Sequence, residues 1–174
     1  IKHGDEVLIP SYTFAATANA VCYCGAIPHF VDSDYFNLGI DTKKLEEYLE
    51  KITLVKNNIC YNKKTGRVIS AIIPVHIFGI ICNIEKIIKI SKKYKLKVIE
   101  DAAEALGSFK NSIHAGTFAS IGILSFNGNK IISTGSGGAI LLKNLSDAKK
   151  ARHLISTAKR NVSGHYYHDQ QGFN

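Results

Sequence analysis

The sequence predicts an α/β fold: a three-layer α/β/α arrangement around a mixed, mostly parallel sheet. Three observations predict it. Short β-rich runs alternate with helical periodicity along the chain, which is the pattern of a sheet covered on both faces. Residues 68–75 are almost continuously Val, Ile and Ala, as expected of a strand buried on both sides. Hydrophobic residues make up 45% of the 174 positions and charged residues 21%, the profile of a folded domain. A chain of this length buries roughly 70% of its unfolded surface, enough for one sizeable core.

The elements follow in order. Residues 6–10 form a strand, and a helix of small residues runs from about 14 to 24, ended by Gly25. Residues 27–32, with His29 inside, form the next strand. Asp41 caps a helix whose Leu45, Tyr48, Leu49 and Ile52 recur at i, i+3, i+4 and i+7. Residues 57–65 read as a polar loop reaching Gly66, before the buried strand at 68–75. Asn83 caps a second amphipathic helix, with Ile84, Ile87, Ile88 and Ser91 facing inward and four Lys outward. Leu96-Lys97-Val98-Ile99 leads directly into Glu100-Asp101-Ala102-Ala103-Glu104. Further strands span 121–126 and 139–142. A last helix begins at Ser146 and places Ala148, Ala151, Leu154, Ile155 and Ala158 on one face. Residues 161–174 are polar, aromatic and without period. No repeat or low-complexity tract interrupts the pattern, so residues 1–174 are expected to form one domain.

Composition narrows the function classes. The formal net charge is +8, but only three of the 22 cations are Arg. The lysines fall in scattered pairs such as Lys43-Lys44, Lys63-Lys64 and Lys92-Lys93, the pattern of solvated helix faces and turns. A nucleic-acid surface would interleave Arg and aromatics in one stripe. No run of 18 apolar residues exists, so no membrane span is expected. Cys22, Cys24, Cys60 and Cys82 are too few for a disulfide scaffold and fit reduced cytoplasmic thiols. Met is absent and the chain opens Ile1-Lys2-His3-Gly4-Asp5 without a signal pattern, so it reads as an excerpt from a longer protein.

In open α/β sheets ligands gather at the carboxyl ends of strands. Three places there carry chemistry. Asp101 leaves an apolar strand and is followed by small residues; it either caps a helix or faces a flat ligand. Lys130 stands alone between Gly128 and the glycines Gly135, Gly137 and Gly138. It is either a solvated turn lysine or, if buried, a nucleophile for carbonyls. Phe14 lies at a strand-to-helix junction and either packs in the core or offers a stacking face. The Gly135 run breaks the dinucleotide pattern at Ile140, and no phosphate-loop motif is present. His165 and His168 lack a third ligand at metal spacing, so no metal site is expected.

A lone Lys, an Asp on a neighbouring strand, Ser125 five residues before the Lys and a stacking aromatic together suggest pyridoxal phosphate. That cofactor needs a Lys for its Schiff base and an acid beside its pyridine nitrogen. The sequence then resembles the DegT/StrS family of nucleotide-sugar aminotransferases. The matching blocks are Gly4-Asp5-Glu6-Val7-Leu8-Ile9-Pro10-Ser11-Tyr12-Thr13-Phe14, Pro74-Val75-His76-Ile77-Phe78-Gly79, and Glu100-Asp101-Ala102-Ala103-Glu104-Ala105-Leu106-Gly107-Ser108. Gly116-Thr117-Phe118, Ser125-Phe126-Asn127-Gly128-Asn129-Lys130 and Gly172-Phe173-Asn174 complete the series.

The resemblance implies the large domain of an aspartate aminotransferase-like (fold type I) enzyme, a homodimer with a nucleotide-sugar substrate and an amino-acid donor, expected to be glutamate. By the same resemblance Lys130 is the Schiff-base lysine, Asp101 the partner of the pyridine nitrogen, Ser125 a phosphate-binding hydroxyl and Phe14 the ring-stacking aromatic. Glu104 falls near the cofactor's phenolic oxygen, where Gln or His is usual. Asn174 matches a residue that reaches the neighbouring subunit's cofactor phosphate. Lys130 and the His168-to-Gly172 region point toward enzymes of 4-amino-6-deoxy sugars for bacterial surface polysaccharide and lipopolysaccharide. A sugar dehydratase of the same fold would carry His in place of Lys130, and a catalytically silent homologue is the other alternative. Ala119-Ser120 stands where Gly-Asp is usual. The family's upstream phosphate-binding segment and its small domain would fall outside 1–174, so this chain alone is expected to be inactive.

Overall fold

A computed structural model describes residues 1–173 of the chain, which divide into two compact units, the first Ile1–Leu141 and the second beginning at Leu142. The first unit is built on a six-stranded sheet. Its strands are β1 (Glu6–Pro10), β2 (Ile27–Val31), β5 (Ile69–Ile72), β6 (Lys97–Asp101), β9 (Ile121–Ser125) and β10 (Gly138–Leu142), in the order β10-β9-β6-β5-β1-β2. Every pairing from β9 across to β2 is parallel, with registers such as Leu8↔His29, Leu8↔Ile72, Ile72↔Val98 and Asp101↔Ile123.

Side chains alternate across a strand, so a central strand must supply two cores. In β1, Leu8 enters a core with Leu45, Leu49, Ile72, Ile84, Ile87 and Ile90, whereas Val7 and Ile9 enter another with Val21, Ala26, Ala71 and Ile73. The first core is closed by α2 (Thr42–Ile52) and α3 (Ile84–Tyr94), the second by α1 (Ala15–Tyr23). Helices on both faces of a largely parallel sheet give the three-layer α/β/α architecture predicted from the alternation.

Local chemistry places the boundaries. Asp41 accepts the N–H groups of Lys43 and Lys44, each at 3.0 Å, and so starts α2. Asn83 occupies the same position before α3, but its side chain makes no capping bond there, contrary to expectation. The polar stretch expected as a loop at 57–65 is instead half of a hairpin, β3 (Thr53–Lys56) with β4 (Ile59–Asn62). Asn57 and Asn58 turn it with φ of 52° and 59°, the left-handed pair that a two-residue hairpin requires and Asn tolerates. A short hairpin, β7 (Phe109–Lys110) with β8 (Ile113–His114), lies between β6 and β9.

The second unit holds α4 (Leu145–Ile155), started by Asn144, whose side chain accepts from the Ser146 N–H at 2.8 Å. The stretch read as aperiodic from 161 onward is largely a second hairpin, β11 (Lys159–Val162) with β12 (His165–His168). Asp169 anchors that unit by binding His153 at 2.8 Å and also Arg160. Among the described residues no helix is long and apolar enough to cross a membrane.

Candidate active site

Because the strands run parallel, the carboxyl ends of β1, β6 and β9 line one edge of the sheet, and the sequence-predicted residues gather along it. Asp101 is the last residue of β6. No helix begins there: residues 102–107 are tight turns, so the capping alternative is not what the fold uses. Its Oδ1 accepts the Ala103 N–H at 3.2 Å, and its Oδ2 accepts the hydroxyl of Thr17 at 2.7 Å. Thr17 lies on the buried side of α1, and the Thr13 hydroxyl stands 2.9 Å behind it. The carboxylate is therefore held in a fixed orientation at the end of a buried strand.

Lys130 follows β9 in a turn closed by its own N–H on the Asn127 carbonyl at 3.0 Å. Its side chain is only 15% exposed, and Nζ lies 3.6 Å from Oε1 of Glu104. It is not a solvated turn lysine. The second Glu104 oxygen accepts the backbone N–H of Phe78 at 2.8 Å. Phe78 sits at φ 52°, ψ 26°, a left-handed conformation costly for an aromatic residue, and strain of this kind concentrates at functional sites. Glu104 thus ties the strained 77–79 turn to the amine of Lys130.

Ser125 ends β9, two positions beyond the residue opposite Asp101. Its hydroxyl oxygen accepts from the Asn127 N–H at 3.4 Å and has its hydrogen to donate. Phe14 immediately precedes α1 with its ring 71% exposed, so core packing is not its role. The glycine run after Lys130 forms a tight return: Thr134 N–H donates to the Phe126 carbonyl and Phe126 N–H to the Gly137 carbonyl. Gly137 at φ 111° makes that path possible. Asn174 lies outside the described residues. Among them no group of three His, Cys, Asp or Glu is placed to share a metal ion.

Three residues here escape sequence reading. Thr17 looked like one more small residue of α1; only its spacing of four from Thr13 hinted at a polar seam. Glu100 and His76 are fully buried and bonded to each other, Nε2 to Oε2 at 3.1 Å. A Glu inside an apolar strand was the available signal for that pair.

The arrangement has known counterparts. The family model for the DegT/DnrJ/EryC1/StrS aminotransferase family matches residues 1–174. The chain belongs to this family. It is 38% identical over its full length to EpsN of Bacillus subtilis, named provisionally as a pyridoxal phosphate-dependent aminotransferase, and 37% identical to the GDP-perosamine synthase of Caulobacter vibrioides. It spans 42% of the length of each. A solved DegT/DnrJ/EryC1/StrS aminotransferase from Brucella abortus superposes on all of this chain with a TM-score of 0.85 at 32% identity, this chain covering 44% of that one.

The cofactor of this family is pyridoxal phosphate. The donor set assembled here fits it: a sheltered amine at Lys130, an oriented carboxylate at Asp101, a hydroxyl able to donate at Ser125 and an open aromatic face at Phe14. When bound, the group supplies a reactive aldehyde carbon and a pyridinium ring that draws electrons from it.

Proposed function

We propose that this chain forms the cofactor-binding large domain of an aminotransferase that moves an amino group from an amino acid, glutamate in our reading, to a keto sugar carried on a nucleotide. The observation that carries this reading is the juxtaposition of Lys130 Nζ with Glu104 Oε1 at 3.6 Å, on the same sheet edge as an Asp101 held by Thr17. Lys130 anchors the cofactor as an amine. With the cofactor bound, the free Nζ would serve as the base and acid that moves the donor's α-proton. Asp101 would pair with the ring nitrogen and keep it protonated. Ser125 would donate to the phosphate, and Phe14 would stack on the ring. Glu104 orients the Lys130 side chain through Oε1. By family resemblance, Asn174, which lies outside the described residues, is assigned to the cofactor phosphate of a neighbouring subunit in a homodimer.

Nucleotide-sugar chemistry is supported by the names of relatives, among them GDP-perosamine synthases and a UDP-N-acetyl-3-dehydro-alpha-D-glucosamine 3-aminotransferase. Within that class we favour a 4-amino-6-deoxy product destined for bacterial surface glycans, made in the cytoplasm. The presence of Lys130, where a sugar dehydratase of this fold carries His, speaks against dehydration. The test is to incubate the full-length enzyme with amino donors and a panel of nucleotide-linked keto sugars, and weigh the products. Replacement of an oxo by an amino group in a 4-keto-6-deoxy sugar, with glutamate consumed, is expected. Bound cofactor without amino-sugar formation from any keto sugar would overturn the reading.

A further inference from the structure

Glu100 and Asp101 are consecutive in β6, so they point to opposite faces of the sheet. Asp101 meets Thr17 on one face. On the other, Glu100 is 0% exposed and both carboxylate oxygens are in use: Oε2 accepts the Gly116 N–H at 2.8 Å and His76 Nε2–H at 3.1 Å, and Oε1 accepts the Ala119 N–H. His76 is also 0% exposed, and its Nδ1 accepts the Cys82 N–H at 3.3 Å, which fixes the neutral tautomer with hydrogen on Nε2. The backbone closes the same knot: Asp101 N–H donates to the Pro74 carbonyl at 2.9 Å, and His76 N–H to the Asp101 carbonyl at 3.0 Å.

The loop held by Glu100 runs straight into β9, the strand that delivers Ser125 and then Lys130. It folds back so closely that a Cβ on Gly122 would collide with the Gly116 carbonyl. Ala102 N–H then donates to the Ile123 carbonyl at 2.9 Å, joining the segment after Asp101 to β9. How that loop lies on β6 sets where β9, and so Ser125 and Lys130, sit relative to Asp101.

We infer that Glu100, oriented by His76, is a positioning residue that fixes Asp101 and the Ser125–Lys130 segment relative to each other. It acts through the 116–119 loop and not on the ligand. The inference rests on the pyridoxal phosphate reading of the site and is independent of the sugar. The buried carboxylate has a reason to be there: three N–H donors converge on it from two separate segments, and no neutral side chain of its size accepts all three. An amide would turn its NH2 group toward one of them.

The experiment uses the full-length enzyme and compares Glu100→Gln, His76→Gln and His76→Leu with wild type. The readouts are thermal midpoint, pyridoxal phosphate affinity, the visible absorbance and circular dichroism of the bound cofactor, and kcat against KM. Gln at 76 keeps one donor for Glu100 and one acceptor for Cys82, so it should restore much of what Leu loses. Glu100→Gln should alter the cofactor spectrum and lower kcat about 100-fold with little change in KM, the scale expected when a reacting group is displaced by about 1 Å. Should Glu100→Gln fail to fold, the contrast of His76→Gln with His76→Leu decides, and a spectral and kcat difference between them supports the inference. A lowered melting midpoint with unchanged spectrum, affinity and kcat would reduce Glu100 to scaffolding and overturn it. Wild-type enzyme that binds no pyridoxal phosphate would overturn the function reading itself, and this inference with it.

Discussion

Lys130 is set apart from the surface lysines by its surroundings. Its side chain is 15% exposed, whereas Lys44, Lys86, Lys93 and Lys110 pair with surface carboxylates at 37% to 59% exposure. Exposed pairs of that kind contribute little, and their lysines stay mobile. Shelter from water is what sets a lysine apart for covalent chemistry. Lys130→Ala in the full-length enzyme should therefore abolish covalent cofactor attachment and transamination together. Borohydride reduction and peptide mapping of the wild type should find the label on Lys130; a label on any other lysine contradicts the assignment. Asp101→Asn tests the other pole. An amide keeps one acceptor oxygen and turns its NH2 group toward the other partner, where the Thr17 hydroxyl can rotate to accept it, but it carries no charge to keep the ring nitrogen protonated. Cofactor binding should survive in part while turnover drops by about 100-fold or more, the scale of losing one charge-stabilising group. Turnover close to wild type would return Asp101 to a merely structural role at the end of β6.

At the scale of elements, the amino-terminal end of β1 carries a different polar knot. Glu6 of β1 is buried and accepts from Thr65 at 2.6 Å, His29 of β2 at 2.8 Å and Asn62 of β4 at 2.9 Å. Burial pushes its carboxyl up, but the hydrogen bonds from Thr65, Asn62 and His29 outweigh it and hold the carboxyl below 4.5. A carboxyl whose folded value is lowered stabilises the protein above its unfolded value, and that contribution drains away as pH falls through the folded one. Glu6→Gln should thus cost about 1–3 kcal/mol at neutral pH. Urea unfolding at successive pH values below 4.5 should show the gap to wild type closing; a gap constant with pH would mean that the charge contributes nothing. In the helical layer, Asp41→Ala removes the acceptor for two N–H groups at the start of α2 and should cost about 1 kcal/mol without changing the cofactor spectrum.

At the scale of the molecule, the carboxyl edge of the sheet is open. Phe14 and Phe78 stand 71% and 68% exposed beside a lysine and a carboxylate meant for chemistry that water disrupts. The 174-residue polypeptide by itself should therefore bind pyridoxal phosphate weakly and give no robust half-reaction with glutamate. Conversion of added cofactor to its pyridoxamine form, followed by absorbance, checks this, and brisk conversion would show that the edge is sufficient as it stands.

What the sequence by itself determined is what local rules and resemblance to a known family reach. Strand and helix order followed from periodicity, the start of α2 from Asp41, and Lys130, Asp101, Ser125 and Phe14 from their places beside strand ends, while Glu104 and the individual roles came from the family resemblance. The β3–β4 hairpin was missed because its strands have only four residues each, the first following α2 without a break, and Asn57-Asn58 lacks the glycine that usually marks such a turn. Only the tertiary structure decided between the alternatives left at each candidate: that Lys130 is sheltered, that Phe14 is open, and that Asp101 ends a strand with no helix to cap. Those depend on burial, and burial depends on neighbours far away in the chain. The same holds for Thr17, 84 residues from the carboxylate it orients, and for His76 and Glu100, 24 apart. A buried polar group is explained by the partner that satisfies it, and a partner at that separation is invisible until the sheet brings the two together.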